Sequence, residues 1–118
     1  MEDYVLQSFQ GVFVFSSMNL TLLNTIGNTP LVELTTINPH DHVRILVKLE
    51  CFNPTGSMKD RIVKHIVEDA ESTGQLQPGG TIVENTSGNT GAATAMIAAH
   101  KGYSAILTMP DKVSQEKQ

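Results

Sequence analysis

The chain has no tryptophan, only two tyrosines and four phenylalanines, and a single cysteine in 118 residues. One cysteine, Cys51, excludes an intrachain disulfide framework and suits a reducing, cytoplasmic setting. Cys51 itself reads as a small buried hydrophobe. With so few rings, the core must be built from aliphatic side chains. Positive charge is scarce too: 8 Lys and Arg against 12 Asp and Glu leave a net charge of −4. The lysines are scattered, so no basic stripe marks a nucleic-acid partner. No apolar run is long enough to cross a bilayer, and no membrane partner is expected. The cluster between Val5 and Phe15 is interrupted by Gln7, Ser8 and Gln10, is preceded by Glu2 and Asp3 and has no arginine, unlike a secretory or mitochondrial leader. Gly-x-Gly-x-x-Gly and Gly-x-x-x-x-Gly-Lys runs are missing, which argues against dinucleotide and Walker-type phosphate sites. His40, Asp41 and His42 share a turn with no further ligands nearby, so no metal centre is expected.

What is present describes one small globular domain, 40% hydrophobic and 17% charged. Residues 1–17 stand apart from the pattern that follows and read as a disordered N-terminal extension; residues 18–118 carry the domain. Leu31 to Leu34 and Arg44 to Leu49 are strand-like. Met58 to Thr73 is helical, with Met58, Ile62, Ile66 and Ala70 forming an apolar stripe that Val63 and Val67 widen. Asp60–Lys64 and Lys64–Glu68 are opposite-charge pairs one turn apart on the outer face. Gly74 stops the helix. Thr81 to Glu84 is a strand. Thr90 to Lys101 is a helix almost free of charge, expected to be buried on most sides and ended by Gly102. Ser104 to Met109 is a third strand of the unit, stopped by Pro110. This alternation predicts two βαβ crossovers in an α/β fold, an open parallel sheet with helices on both faces. The Cys51–Gly56 and Asn85–Gly88 loops would then leave adjacent strands on one sheet edge, where such folds bind ligands.

The chemistry sits in those loops. In the run from Asn53 to Arg61, Ser57 reads as an N-cap, with Asp60 completing a partial capping box. Lys59 falls in the first helical turn, where the helix dipole and neighbouring Arg61 disfavour positive charge, as suits an amine nucleophile. An isolated lysine of this kind is usually a surface residue with its stem laid along the helix. The second loop changes that balance. Thr86, Ser87 and Thr90 bring hydroxyls, Asn89 an amide, and Gly88 and Gly91 allow close backbone approach at a helix N-terminus, a natural place for an anion. Such clusters also cap helices in general. His65 and His100 read as contact residues, and Asp60 and Arg61 as partners that orient the first helix.

Together, Asn53-Pro54-Thr55-Gly56-Ser57-Met58-Lys59-Asp60-Arg61 and Thr86-Ser87-Gly88-Asn89-Thr90-Gly91 resemble the cysteine synthase and cystathionine β-synthase family of pyridoxal-phosphate enzymes, which has the tryptophan synthase β-like fold. Ile26-Gly27-Asn28-Thr29-Pro30-Leu31 and Met109-Pro110-Asp111-Lys112 extend the resemblance from about Leu23 to the last residue. It implies that Lys59 carries pyridoxal 5′-phosphate as a Schiff base and removes the substrate α-proton. It also implies that Thr86, Ser87, Asn89 and Thr90 hold the carboxylate of an amino-acid substrate, with Asn89 also near the cofactor ring. The implied reaction is replacement of the β-substituent of serine, or of an activated serine, by a thiol or sulfide. The run from Met109 to Lys117 resembles cystathionine β-synthases somewhat more than cysteine synthases. Asn85 stands where the family usually has proline. Family members are longer and typically homodimeric, with the phosphate-binding Gly-rich loop beyond the equivalent of Gln118. The chain is therefore expected to be an N-terminal part of the catalytic domain, with the lysine but an incomplete pocket and no activity alone. The alternative is a catalytically dead paralogue that binds a partner.

Overall fold

The computed structural model describes residues 7–9, 12–14 and 21–110. The stretch from Asp111 onward and most of the expected extension, residues 1–17, lie outside the described residues. Within that extension β1 (Gln7–Phe9) and β2 (Val12–Val14) pair antiparallel.

A short 3-10 helix, Leu22–Thr25, leads through the Gly27–Pro30 loop into β3 (Leu31–Glu33). This strand pairs antiparallel with β4 (Leu46–Lys48), Val32 standing opposite Val47. Backbone bonds from Leu34 to Ile45 and from Leu49 to Pro30, each 2.9 Å, extend the ladder at both ends. After a one-turn 3-10 helix, Glu50–Phe52, come α1 (Lys59–Ser72), β5 (Thr81–Asn85), α2 (Asn89–Lys101) and β6 (Ser104–Thr108). β5 and β6 pair parallel, with Thr81 opposite Ser104 and Asn85 opposite Thr108.

The α/β class and the parallel sheet are as expected, but the strand pairing differs in one respect. Among the described residues β4 pairs with β3 and not with β5, so β5–α2–β6 is the one βαβ crossover formed. Antiparallel neighbours need only a short connection, whereas a parallel partner needs a crossover packed on the sheet. α1 does not supply that crossover, because it packs against α2.

The core lies between the helices. Val63 and Val67 of α1 meet Ala93 and Ile97 of α2, with Leu23, Ile26, Leu76, Ile82, Met96 and Tyr103 around them. The buried stripe of α1 is thus rotated from the expected one: Met58, Ile62 and Ile66 are 50%, 40% and 60% exposed. Apolar residues at 62/66 and 63/67 offer two stripes one residue apart, and the one with the slimmer Val side chains faces the alanine-rich helix. Fully buried Asp60 continues that line, so the expected Asp60–Lys64 pair does not form. Lys64 instead donates to the Leu23 carbonyl at 3.0 Å and lies 4.0 Å from Glu68. α2 is buried along one side, through Gly91, Ala93, Thr94, Ile97 and Ala98, while Ala92, Ala95 and Ala99 are exposed. The side of the β5–β6 pair that carries Val83 and Ile106 is uncovered, at 65% and 53% exposure. Gly74 and Gly102 stop the two helices in left-handed conformations, φ +75° and +79°, as expected. No helix among the described residues is long and apolar enough to cross a membrane.

Candidate functional site

The loop before Lys59 is tied down at every turn. The Gly56 N–H donates to the Asn53 carbonyl at 2.7 Å, closing the Asn-Pro-Thr-Gly turn. Asp60 turns back over it: one carboxylate oxygen accepts the Thr55 N–H at 2.8 Å and the other accepts the Thr55 hydroxyl. The Ser57 hydroxyl accepts the Lys59 N–H at 3.2 Å. The expected capping box is therefore redistributed. Ser57 caps two residues ahead rather than three, helix α1 begins at Lys59, and Asp60 holds Thr55 instead of reaching back to Ser57. Lys59 is half-buried, and among the described residues its Nζ makes no hydrogen bond or ion pair.

Glu50 is the hub that sequence reasoning missed. Its carboxylate accepts from Arg61 at 2.9 and 3.1 Å, from the Thr29 hydroxyl at 2.7 Å and from the Asn53 amide at 2.8 Å. Asn53, itself buried, accepts the Gly27 N–H at 2.9 Å, and Lys48 donates to the Thr29 carbonyl. Arg61, and then Thr29 and Asn53, hold the Glu50 carboxyl far below the usual range, at about 2. Arg61 was expected to act as a like charge beside Lys59; its guanidinium is committed to Glu50 instead. The 3-10 turn that points Glu50 inward leaves Cys51 exposed, against the expectation of a buried thiol, and Phe52 with it. An acid alone among apolar neighbours at Leu49-Glu50-Cys51-Phe52 was the signal available.

The second loop leaves the carboxyl end of β5. The Thr86 N–H bonds the Thr108 carbonyl at 2.9 Å, and the Thr86 hydroxyl accepts the Gly88 N–H at 3.3 Å. Gly88 occupies the N-cap position with no side-chain cap. Among the described residues the Ser87, Asn89 and Thr90 N–H groups have no protein acceptor. Unpaired donors at the positive end of a helix suit a carboxylate. A Cβ on Gly91 would come within 2.7 Å of the Thr86 methyl, so the glycine is what lets this loop close on its helix.

An ion pair and a shared core tie the two helices that follow these loops to each other. Lys101, in the last turn of α2, pairs with Glu71, near the end of α1, at 2.7 Å, and the Tyr103 hydroxyl donates to the same carboxylate. The helices therefore run parallel. Lys59 lies twelve residues before Glu71 (71 − 59), and Asn89 twelve before Lys101 (101 − 89), so each opens its own helix at the end away from that ion pair. An amine with no protein partner among the described residues thus opens one helix, and unpaired N–H donors open the helix packed against it. That donor set fits the reactive carbon of pyridoxal phosphate at Lys59 and an amino-acid carboxylate at the second loop.

Residues 22–118 match the family described as pyridoxal-phosphate dependent enzyme. Cysteine synthase B of Salmonella typhimurium is 53% identical over 98 residues, which are 83% of this chain and 32% of that protein. Cystathionine beta-synthase of Mus musculus is 50% identical over 98 residues, 81% of this chain and 18% of that protein. The crystal structure of O-ureido-L-serine synthase superposes with a TM-score of 0.79 at 48% identity, over 86% of this chain and 32% of that one. The chain thus spans about a third or less of the length of these relatives.

Proposed function

The chain belongs to the pyridoxal-phosphate dependent enzyme family, and from that membership we propose that it serves a β-replacement reaction on serine or an activated serine. The Cβ–O bond breaks, the leaving group departs, and a thiol or sulfide forms a Cβ–S bond, as in cysteine or cystathionine synthesis. When bound, pyridoxal phosphate supplies the electron sink that tolerates negative charge at the substrate α-carbon. Lys59 would be the residue that holds the cofactor, and its Nζ would take the substrate α-proton. The hydroxyls of Thr86, Ser87 and Thr90 and the free N–H groups around them hold the substrate carboxylate. Asn89 would contact both the substrate carboxylate and the cofactor. Residues 18–118 are the N-terminal part of the catalytic domain in this reading, cytoplasmic and homodimeric in the whole enzyme, with residues 1–17 an extension outside it.

The observation that supports this most directly is that Lys59, whose Nζ has no partner among the described residues, opens α1, while unpaired N–H donors open α2, the helix packed against it. Incubating the chain with pyridoxal phosphate, reducing with borohydride and mapping the peptides tests it. A reduced adduct at Lys59, lost in Lys59→Ala, is expected. A chain that gives no adduct at Lys59 overturns the assignment and favours a partner-binding role.

A further inference from the structure

We propose that Asp60 is a positioning residue that acts on Lys59 through Thr55; the inference rests on the functional reading above and adds a part to it. Three observations carry it. Asp60 is fully buried, yet no cation is within ion-pairing distance of it among the described residues. Both of its oxygens go to one residue, Thr55, through the backbone N–H and the hydroxyl. Thr55 lies in the turn closed by Asn53 and Gly56, and that turn delivers Ser57, whose hydroxyl receives the Lys59 N–H.

A buried carboxylate is costly unless its acceptors are filled, and one spent entirely on a neighbouring turn is a geometric device. It locks four residues of irregular backbone onto the first turn of α1. Lys59, which has no side-chain partner of its own, inherits its direction from that lock. Thr55 reaches Asp60 by two bonds, so its hydroxyl can be removed without removing the backbone bond. The role can thus be separated from simple folding.

Borohydride trapping of pyridoxal phosphate on the 118-residue chain, mapped across Lys48, Lys59, Lys64 and Lys101, reads the inference out. Thr55→Val and Asp60→Asn are expected to lower the rate of adduct formation at Lys59 about tenfold, the scale of one charge-assisted hydrogen bond. Labelling of the other three lysines and the helical circular dichroism of Thr55→Val should stay as in the wild type. Thr55→Ser, which keeps the hydroxyl, should trap at the wild-type rate. A wild-type adduct at Lys59 with Thr55→Val trapping equally fast overturns the positioning role alone. So does Thr55→Ser failing as badly as Thr55→Val. A wild type with no adduct at Lys59 overturns the functional reading and this role together.

Discussion

Glu71 and Lys101 meet at 2.7 Å in the last turns of α1 and α2, thirty residues apart in the chain. Tyr103 donates to the same carboxylate, and Lys101 and Tyr103 together lower the Glu71 carboxyl from its usual value. Val63 and Val67 of α1 share one buried cluster with Ala93 and Ile97 of α2. One polar clasp and four apolar side chains therefore join the two helices and set their common direction.

Replacing Glu71 by Gln keeps a partner for Tyr103 but removes the charge opposite Lys101. A loss of about 1 kcal/mol is expected for a half-buried charge-assisted bond, read as a lower urea midpoint at unchanged slope. An unchanged midpoint would mean that the core alone aligns the helices.

Acid should loosen the Glu50 hub. Its carboxyl lies at about 2 in the folded chain, against about 4.3 when unfolded. A depressed carboxyl contributes stability that is complete above the unfolded value and lost as pH falls from there through the folded one. Melting temperature should accordingly drop between about pH 4.3 and 2. Glu50→Gln should be less stable at neutral pH and flatter across that window. A Glu50→Gln profile parallel to the wild type's would contradict the assignment.

The two faces of α1 and its partner can be weighed against each other. Ile97 is fully buried and Ile66 is 60% exposed. Ile97→Ala should cost about 2–5 kcal/mol and Ile66→Ala less than about 0.5, by urea titration of the same chain. Similar costs at the two positions would place the buried stripe of α1 where periodicity first suggested.

Gly91→Ala gains about 1 kcal/mol of helix propensity, yet its methyl would meet Thr86 Cγ2 at 2.7 Å. Overpacking of that kind costs about 1–3 kcal/mol, so a net loss is expected. Thr86→Ser, which removes the opposing methyl, should recover most of it in the double variant. Additive losses in the cycle would show that the two positions do not press on each other.

Much of this was legible in the chain itself. The limits of α2 and β6 follow from local marks that tertiary packing had no cause to override: an alanine-rich run, Gly102 and Pro110. The stop of α1 at Gly74 is of the same kind. The strand partner of β4 was not legible, because hydrophobic run and length do not say which neighbour supplies the hydrogen bonds. Nor was the buried side of α1, where two adjacent apolar stripes compete and only the shape of α2 decides. Glu50 escaped because its partners Thr29, Asn53 and Arg61 are gathered from three segments, and no local pattern marks an acid as the centre of such a set. Lys59 and the Thr86–Gly91 loop were legible as motifs; the Glu71–Lys101 pair that ties their helices was not, because it joins distant segments.

The Glu71–Lys101 pair also limits how this chain can change length. A residue gained or lost inside α1 between Lys59 and Glu71 would swing the lysine by about 100° around its axis while the opposite loop stayed still. The bend from Gly74 to Gly80 can absorb additions without disturbing that alignment. Evolutionary drift in size should therefore collect in the bend and spare the helices, whatever their surfaces tolerate.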